Sequence, residues 1–499
     1  MRMRQGRHAV SGPGLSNRPV HRYVTFMNDA PHPTLAAATG HGSSGHGSPV
    51  NSSVGPGFFG YAGYALGAVF FFYAWILRVS PSVMVDALMR DFAVSGAVLG
   101  NLSAFYFYAY AALQMPVGMA LDRWGPRKVM SLGVLAAGGG CLIFASAPSV
   151  EVAYLGRMLI GAGAAFGLLG GMLLAGAWFS PRRFAMLSGL LMTMGLLGGI
   201  VGQAPMALLV EAEGWRRSIV YLGLFALLLG LCMWLMIRDR PPHISRGKTA
   251  SGKAAVDHPV EPSPGRLSAA AETDGVLAAL WRVARHPQTI AIALFSGLVA
   301  SPMLAFGALW GVPYAQTRFG VDRPAAAFAT STLLLGFVVG GPLCGWLSDR
   351  IGRRKLPLVL GASLGGIAMT AALYLPGVSF AVYQVLLFVT GFASTGMVVA
   401  YALTREHNAG GGTGAALGLV NMAAVMGGAV FQPVVGLLLD LQWAGTLKGG
   451  ARVYDLAAYD NAFLTLPALY LAALFFALII RETWCRPVAT PPGPAPATA

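Results

Sequence analysis

Arg78, in Leu77-Arg78-Val79-Ser80-Pro81-Ser82, and Arg157, in Arg157-Met158-Leu159-Ile160-Gly161-Ala162-Gly163, each stand inside a long apolar run. A guanidinium carries five N–H donors, no acceptor and a charge that a protein does not titrate away, so within an apolar layer it must recruit an anion, a carbonyl or water. Arg157 reads as a substrate or coupling charge. It reads alternatively as a structural arginine that snorkels outward or pairs with Glu151. Pro81 has no N–H, and it predicts a bend after Arg78 that frees a helix carbonyl. Tyr106, Tyr110 and Gln114 recur at a spacing of four and share one helical face, which either looks into a cavity or packs against a neighbour. Gln203, Gln384, Asn421 and Gln432 are neutral hydrogen-bonders in apolar runs, available to a solute or to interhelical bonding.

The elements that must position these residues follow from composition. Hydrophobic residues make up 56% of the 499 and charged residues 11%, a balance that points to a polytopic, all-α membrane protein. Six apolar runs, near 58–84, 97–121, 129–147, 152–177, 184–210 and 218–237, predict an N-terminal half over 58–237. Six more, near 289–316, 326–347, 356–375, 379–403, 413–438 and 457–480, predict a C-terminal half over 289–480. Between them, 238–288 reads as a linker with a surface-lying amphipathic helix around Val276 to Arg285. Residues 1–57 and 481–499 read as disordered tails. Met27 is a candidate translation start, which would leave the first 26 residues untranslated.

The net charge of +15 does not predict nucleic acid binding, because the basic residues fall between apolar runs. With the N-terminus inside, 25 of the 34 Lys and Arg lie on the inner side and 7 on the outer. Both termini and the linker are therefore expected in the cytoplasm. Cys141, Cys232, Cys344 and Cys485 are scattered, and His32, His41 and His46 lie irregularly in a low-complexity tail, so neither a disulfide framework nor a metal site is expected.

A charged, glycine-rich turn occurs twice, as Gly118-Met-Ala-Leu-Asp122-Arg123-Trp-Gly125-Pro-Arg127-Lys128 and, 227 positions on, as Gly345-Trp-Leu-Ser-Asp349-Arg350-Ile-Gly352-Arg353-Arg354-Lys355. The repeat extends beyond it. Residues 91–123 align without gaps onto 318–350, and Gly189, Gly198, Gly199 and Gln203 recur 229 positions on as Gly418, Gly427, Gly428 and Gln432. This pattern resembles the major facilitator superfamily of membrane transporters, bacterial inner-membrane type, whose signature between helices two and three and between eight and nine is G-x-x-x-D-R-x-G-R-R. The run from Arg157 to Gly163 is similar to its R-x-x-x-G-x-G motif. The resemblance implies twelve helices in two pseudo-symmetric halves with the solute between them.

It further implies that Asp122, Arg123, Asp349 and Arg350 form charge-assisted contacts closing the inner side. Gly118, Gly125, Arg127, Gly345, Gly352 and Arg353 belong to the same gating turns. Helices one and seven line the cavity in this family, which makes Arg78 a candidate anion anchor, with an interfacial arginine as the alternative. The same reasoning makes Trp310 to Tyr314 aromatic surface for a solute.

Every Asp and Glu lies in a tail, a loop or a span end, so Arg78 and Arg157 are the charges within the apolar runs. The cavity is expected to favour an anionic or zwitterionic organic solute, carried by alternating access by a monomer in the lipid bilayer. No phosphate loop, zinc spacing or serine elbow is present, so neither an enzyme, an ATP-driven pump nor a cofactor is expected. Two other readings remain open. Proton-driven drug or metabolite efflux is disfavoured because the exporter signature is partial: Gly189, Gly198 and Gly202 keep its spacing, but Gln203 replaces its proline. A non-transporting sensor on the same fold is the other.

Overall fold

The computed structural model of the chain describes residues 57–239, 283, 285–409 and 413–488. The N-terminal tail with its candidate start, most of the linker with its foreseen helix, and residues 489–499 lie outside the described residues. Ten described helices are long and apolar enough to cross a bilayer, and a bent pair, Val85–Phe92 and Gly96–Gln114, adds an eleventh. Gly125 reverses the chain inside Gly96–Ser146, and Gly214 does so inside Ala204–Met236, both at φ 79. Divided there, the described residues hold twelve spans. The first six are Phe58–Val83, 96–124, 126–146, Val150–Trp178, 181–213 and 215–236. The second six are Pro287–Phe319, Arg323–Ile351, Lys355–Tyr374, Phe380–His407, Thr413–Leu441 and Leu456–Ile479.

Local chemistry sets these boundaries. The first helix runs from Phe58 to Val79 and tightens to a 3-10 turn over Ser80–Val83, where Pro81 cannot supply the next helical N–H. Gly125 holds its reversal in a region that side chains disfavour. A Cβ there would also sit 2.7 Å from the carboxylate of Asp239, so two requirements converge on one glycine.

The duplication is built into the packing. A Cβ on Gly161, in the fourth span, would run into the backbone carbonyl of Tyr106 in the second; one on Gly391, in the tenth, would run into that of Leu333 in the eighth. Tyr106 and Leu333 are equivalent at the 227 offset. The glycine of the R-x-x-x-G-x-G run thus lets two helices touch at backbone distance. That contact brings Arg157, one turn earlier, to the same neighbour.

Residues 481–488 correct the expectation of a wholly disordered C-terminal tail. Glu482 accepts from Arg354 N at 2.8 Å and Lys355 N at 2.9 Å, and Val488 N donates to Glu406 O at 2.9 Å. The opening turn of the ninth span needs acceptors for its free N–H groups, and this stretch supplies them.

Candidate functional site

Arg78 is 6% exposed and lies among aromatic rings. Its guanidinium carbon is 4.4 Å from the Trp75 ring centroid, 4.9 Å from that of Tyr110 and 5.6 Å from that of Tyr106. Trp75 is one turn before Arg78 on the first span, while Tyr106 and Tyr110 stack one turn apart on the second, with ring centroids 5.9 Å apart. Ring faces attract a desolvated cation by about 2 kcal/mol, but they provide no hydrogen-bond acceptors. Arg78 Nε is buried without a partner, as is Trp75 Nε1. No described carboxylate pairs with Arg78. The arrangement holds a positive charge in place and leaves the Nε donor available to an anion.

Arg157 is placed differently. It is 1% exposed, and it donates to Leu77 O at 3.0 Å and to Ser103 O at 3.4 Å. Leu77 O is the carbonyl whose helical partner would be the N–H of residue 81, and residue 81 is proline. Arg157 therefore occupies the acceptor that Pro81 frees, tying the first, second and fourth spans together beside Arg78. Neither structural alternative foreseen for it holds: it does not reach the interface, and its hydrogen bonds go to carbonyls instead of Glu151, which is exposed.

Below the aromatic box runs a polar string. Asn421 Nδ2 donates to Gln114 Oε1 at 2.9 Å, and Tyr401 Oη donates to Asn421 Oδ1 at 3.0 Å. Gln114 Nε2 is buried without a partner. Tyr106, Tyr110 and Gln114 do share one face of the second span, as their spacing predicted. At Gln114 this face meets the eleventh span of the other half, whereas Tyr106 Oη donates to Ala74 O of the first span at 3.3 Å.

The remaining candidates are engaged in packing. The seventh span contains a π-helix, Met303–Trp310, between α-helices Pro287–Pro302 and Gly311–Phe319. Gln203 Nε2 donates to Gly307 O at 2.6 Å and Gln432 Nε2 to Leu304 O at 2.8 Å, so two repeat-related glutamines serve the carbonyls of this widened turn. Ser82 Oγ donates to Gln203 Oε1 at 3.1 Å. Trp310 and Tyr314 were expected to present aromatic surface to a solute, and the structure corrects this. Trp310 Nε1 donates to Gln432 O at 3.0 Å, Tyr314 Oη donates to Leu373 O at 3.2 Å, and both side chains are fully buried. A π-turn holds more residues than an α-turn, so side chains beyond it rotate away from where regular spacing puts them. Gln384 stands apart: its backbone carbonyl accepts from Thr332 at 3.0 Å in the packing of the eighth and tenth spans.

In the signature turns, Arg127 and Arg354 bond within their own halves. Arg127 N donates to Asp239 Oδ1 at 2.8 Å and Arg127 Nε to Trp234 O at 2.8 Å. In the second copy Arg354 bridges Asp349 at 2.5 Å and Glu406 at 2.9 Å. Asp122, Arg123, Arg350 and Arg353 are exposed, and the three arginines lie over Trp124, Trp346 and Trp484 respectively, at 6.0, 5.6 and 5.2 Å. A Cβ on Gly118 or Gly345 would meet nothing within 4 Å; Gly352 ends the eighth span at φ 69. Burial would raise the Glu482 pKa, but backbone N–H groups of Arg354, Lys355, Trp484 and Thr483 outweigh it and hold the carboxyl below its ordinary value.

Trp75, Tyr401, Asp239 and Glu482 were not singled out from the sequence. Trp75 had a signal, standing three residues before a buried arginine. The others depend on which helix ends meet, which spacing along one helix does not reveal.

Twelve spans in two repeated halves, with a polar string between them, define a secondary transporter fold in a multi-pass membrane protein. The Major Facilitator Superfamily profile matches residues 64–314 and 303–498, and the chain belongs to that superfamily. It is 26% identical over 377 residues to the protein named "Probable sulfoacetate transporter SauU" of Cupriavidus necator, covering 74% of this chain and 85% of that one. It is 26% identical over 422 residues to the membrane sensor protein UhpC of Escherichia coli, covering 82% and 90%. The D-galactonate transporter of another Escherichia coli strain is 23% identical over 379 residues, covering 73% and 85%. Among solved structures, a bacterial homologue of the human lysosomal transporter Spinster superposes with a TM-score of 0.65 at 18% identity, covering 86% of this chain and 97% of that one.

Proposed function

We propose that this chain carries a small organic anion across the bacterial inner membrane by alternating access, as a monomer with both termini in the cytoplasm. The observation that carries the reading is the buried Arg78 guanidinium, enclosed by Trp75, Tyr106 and Tyr110, with Nε unpartnered and no described carboxylate to neutralise it. The solute's anionic group binds there, and its polar remainder reaches Gln114, Asn421 and Tyr401. Arg157 shapes the site by holding Leu77. Gln203, Gln432, Trp310 and Tyr314 shape it by holding the seventh span. Relatives named as transporters of sulfoacetate and D-galactonate support an anion. The signature turns act as inner-side gates, with Arg127 and Arg354 bonded within their own halves. The protein is a carrier and not an enzyme.

Uptake into proteoliposomes, measured with labelled sulfoacetate, D-galactonate and a neutral sugar, tests this. Arg78→Ala should lower anion uptake on the order of 100-fold, the effect of removing one partner of a buried charged contact. Wild-type uptake by that variant, or preference for the neutral sugar, would refute the reading. A second reading, a sensor that binds without transporting, is favoured by the UhpC relatives. Binding of an anion without accumulation in vesicles would select it.

A further inference from the structure

The second span begins at Gly96, and its first N–H groups lack partners within their own helix. Its local cap is weak: Ser95 Oγ lies 3.5 Å from Val98 N. The work passes to a residue at the far end of the chain. Asp440, at the end of the eleventh span, accepts from Gly96 N at 2.9 Å through Oδ1 and from Ala97 N at 2.8 Å through Oδ2. A carboxylate at a helix N-terminus satisfies orphan donors and meets the positive end of the helix dipole. Here helix and carboxylate belong to different halves.

Three further features act at the same junction. Tyr454 Oη donates to Asp440 Oδ1 at 2.6 Å and accepts from Gly96 N at 3.0 Å. Arg452, on the hairpin after the eleventh span, reaches Asp440 Oδ1 at 3.1 Å. One turn below, the helices touch at backbone distance: a Cβ on Gly436 would run into Gly96 O, and one on Gly100 would lie 2.5 Å from Gln432 O.

We propose that Asp440 is the outer latch of this carrier, a positioning residue that holds the side opposite the termini closed and is released at each outward opening. Arg452 and Tyr454 travel with Asp440 on the second half. When the halves part, the carboxylate therefore keeps a cation and a hydroxyl, while the second span loses only its cap. This makes the latch reversible. The latched helix also carries Tyr106, Tyr110 and Gln114, so its release moves the walls of the site. The proposal rests on alternating access and on the orientation given under Proposed function.

The test uses the full chain with Cys141, Cys232, Cys344 and Cys485 replaced and Val83→Cys introduced. Val83 is 1% exposed, in a turn packed against the seventh span of the other half. A membrane-impermeant maleimide is applied to right-side-out and to inside-out vesicles. Asp440→Asn, which weakens the cap, and Gly436→Ala, which wedges the crossing, should each raise labelling from the outer face roughly tenfold. Asp322→Asn is the control, because the described bond of Asp322 caps its own span, accepting from Ala325 N at 2.8 Å; it should leave labelling unchanged. Unchanged labelling in both variants, or an equal rise with Asp322→Asn, would overturn the latch. A rise confined to inside-out vesicles would keep the latch and overturn the orientation.

Discussion

Asn421 and Gln114, 307 residues apart in the chain, are joined by a 2.9 Å hydrogen bond that crosses from one half of the molecule to the other. The bond lies one helical turn from Tyr110, and Gln114 Nε2 beside it has no partner. A solute bridging the halves would meet both amides. Asn421→Ala and Gln114→Ala should each raise the KM for anion uptake about tenfold, while the double variant falls short of the product by a coupling of roughly 1 kcal/mol. Uptake kinetics on the four proteins measure this; strictly multiplicative effects would dissociate the pair.

The two buried arginines should separate in their behaviour. Arg157→Met leaves Leu77 O and Ser103 O without this donor and should lower stability by roughly 1–3 kcal/mol, seen as a lower melting temperature in detergent. Arg78→Met removes a cation held by the Trp75, Tyr106 and Tyr110 rings but also relieves the desolvation cost of burying it, so its melting temperature should fall less than that of Arg157→Met while anion uptake is lost. Equal destabilisation by both would contradict the division of roles.

Gly125 and Gly118 occupy the same turn under different constraints. Gly125→Ala meets both a φ of 79 and the Asp239 carboxylate, and should cost about 2 kcal/mol or more. Gly118→Ala enters open space within a helix and should leave the melting temperature unchanged or slightly raised. Thermal melts of the two variants side by side provide the comparison.

Glu482 gives the structure a pH dependence of known sign. Its carboxyl is depressed in the folded chain, so its contribution is complete above the unfolded glutamate value of about 4.3 and is lost as pH falls through the lower folded value. The gap in melting temperature between wild type and Glu482→Gln should stay constant from pH 7 to about 5 and close below about 4. A gap unchanged at pH 3 would show that the charge is immaterial.

Much of the fold was legible because bilayer spans are long and apolar and because the chain repeats itself. The 227-residue offset foretold that Tyr106 and Leu333 would occupy equivalent places, and both meet a glycine of a helix two spans later. Pro81 announced a freed carbonyl, although only the structure shows Arg157 filling it. The failures have one physical source. Periodicity locates a face on a regular helix, and the seventh span is irregular: Met303–Trp310 is wound as a π-helix, which turned Trp310 and Tyr314 into the packing. Contacts between helix ends, such as Asp440 on Gly96, lie hundreds of residues apart and leave no spacing to read.

The widened turn of the seventh span has one more consequence. By the repeat offset, the position matching Arg78 is Ala305, within that turn. The duplication thus has a cation in one copy and a methyl group in the other. On the function proposed above, an anion seated on Arg78 would be gripped by its charged end from the first half and met from the second by the uncharged Asn421 and Tyr401. When the halves separate, such a cargo would stay with the first half, in the same orientation whichever side of the membrane it came from.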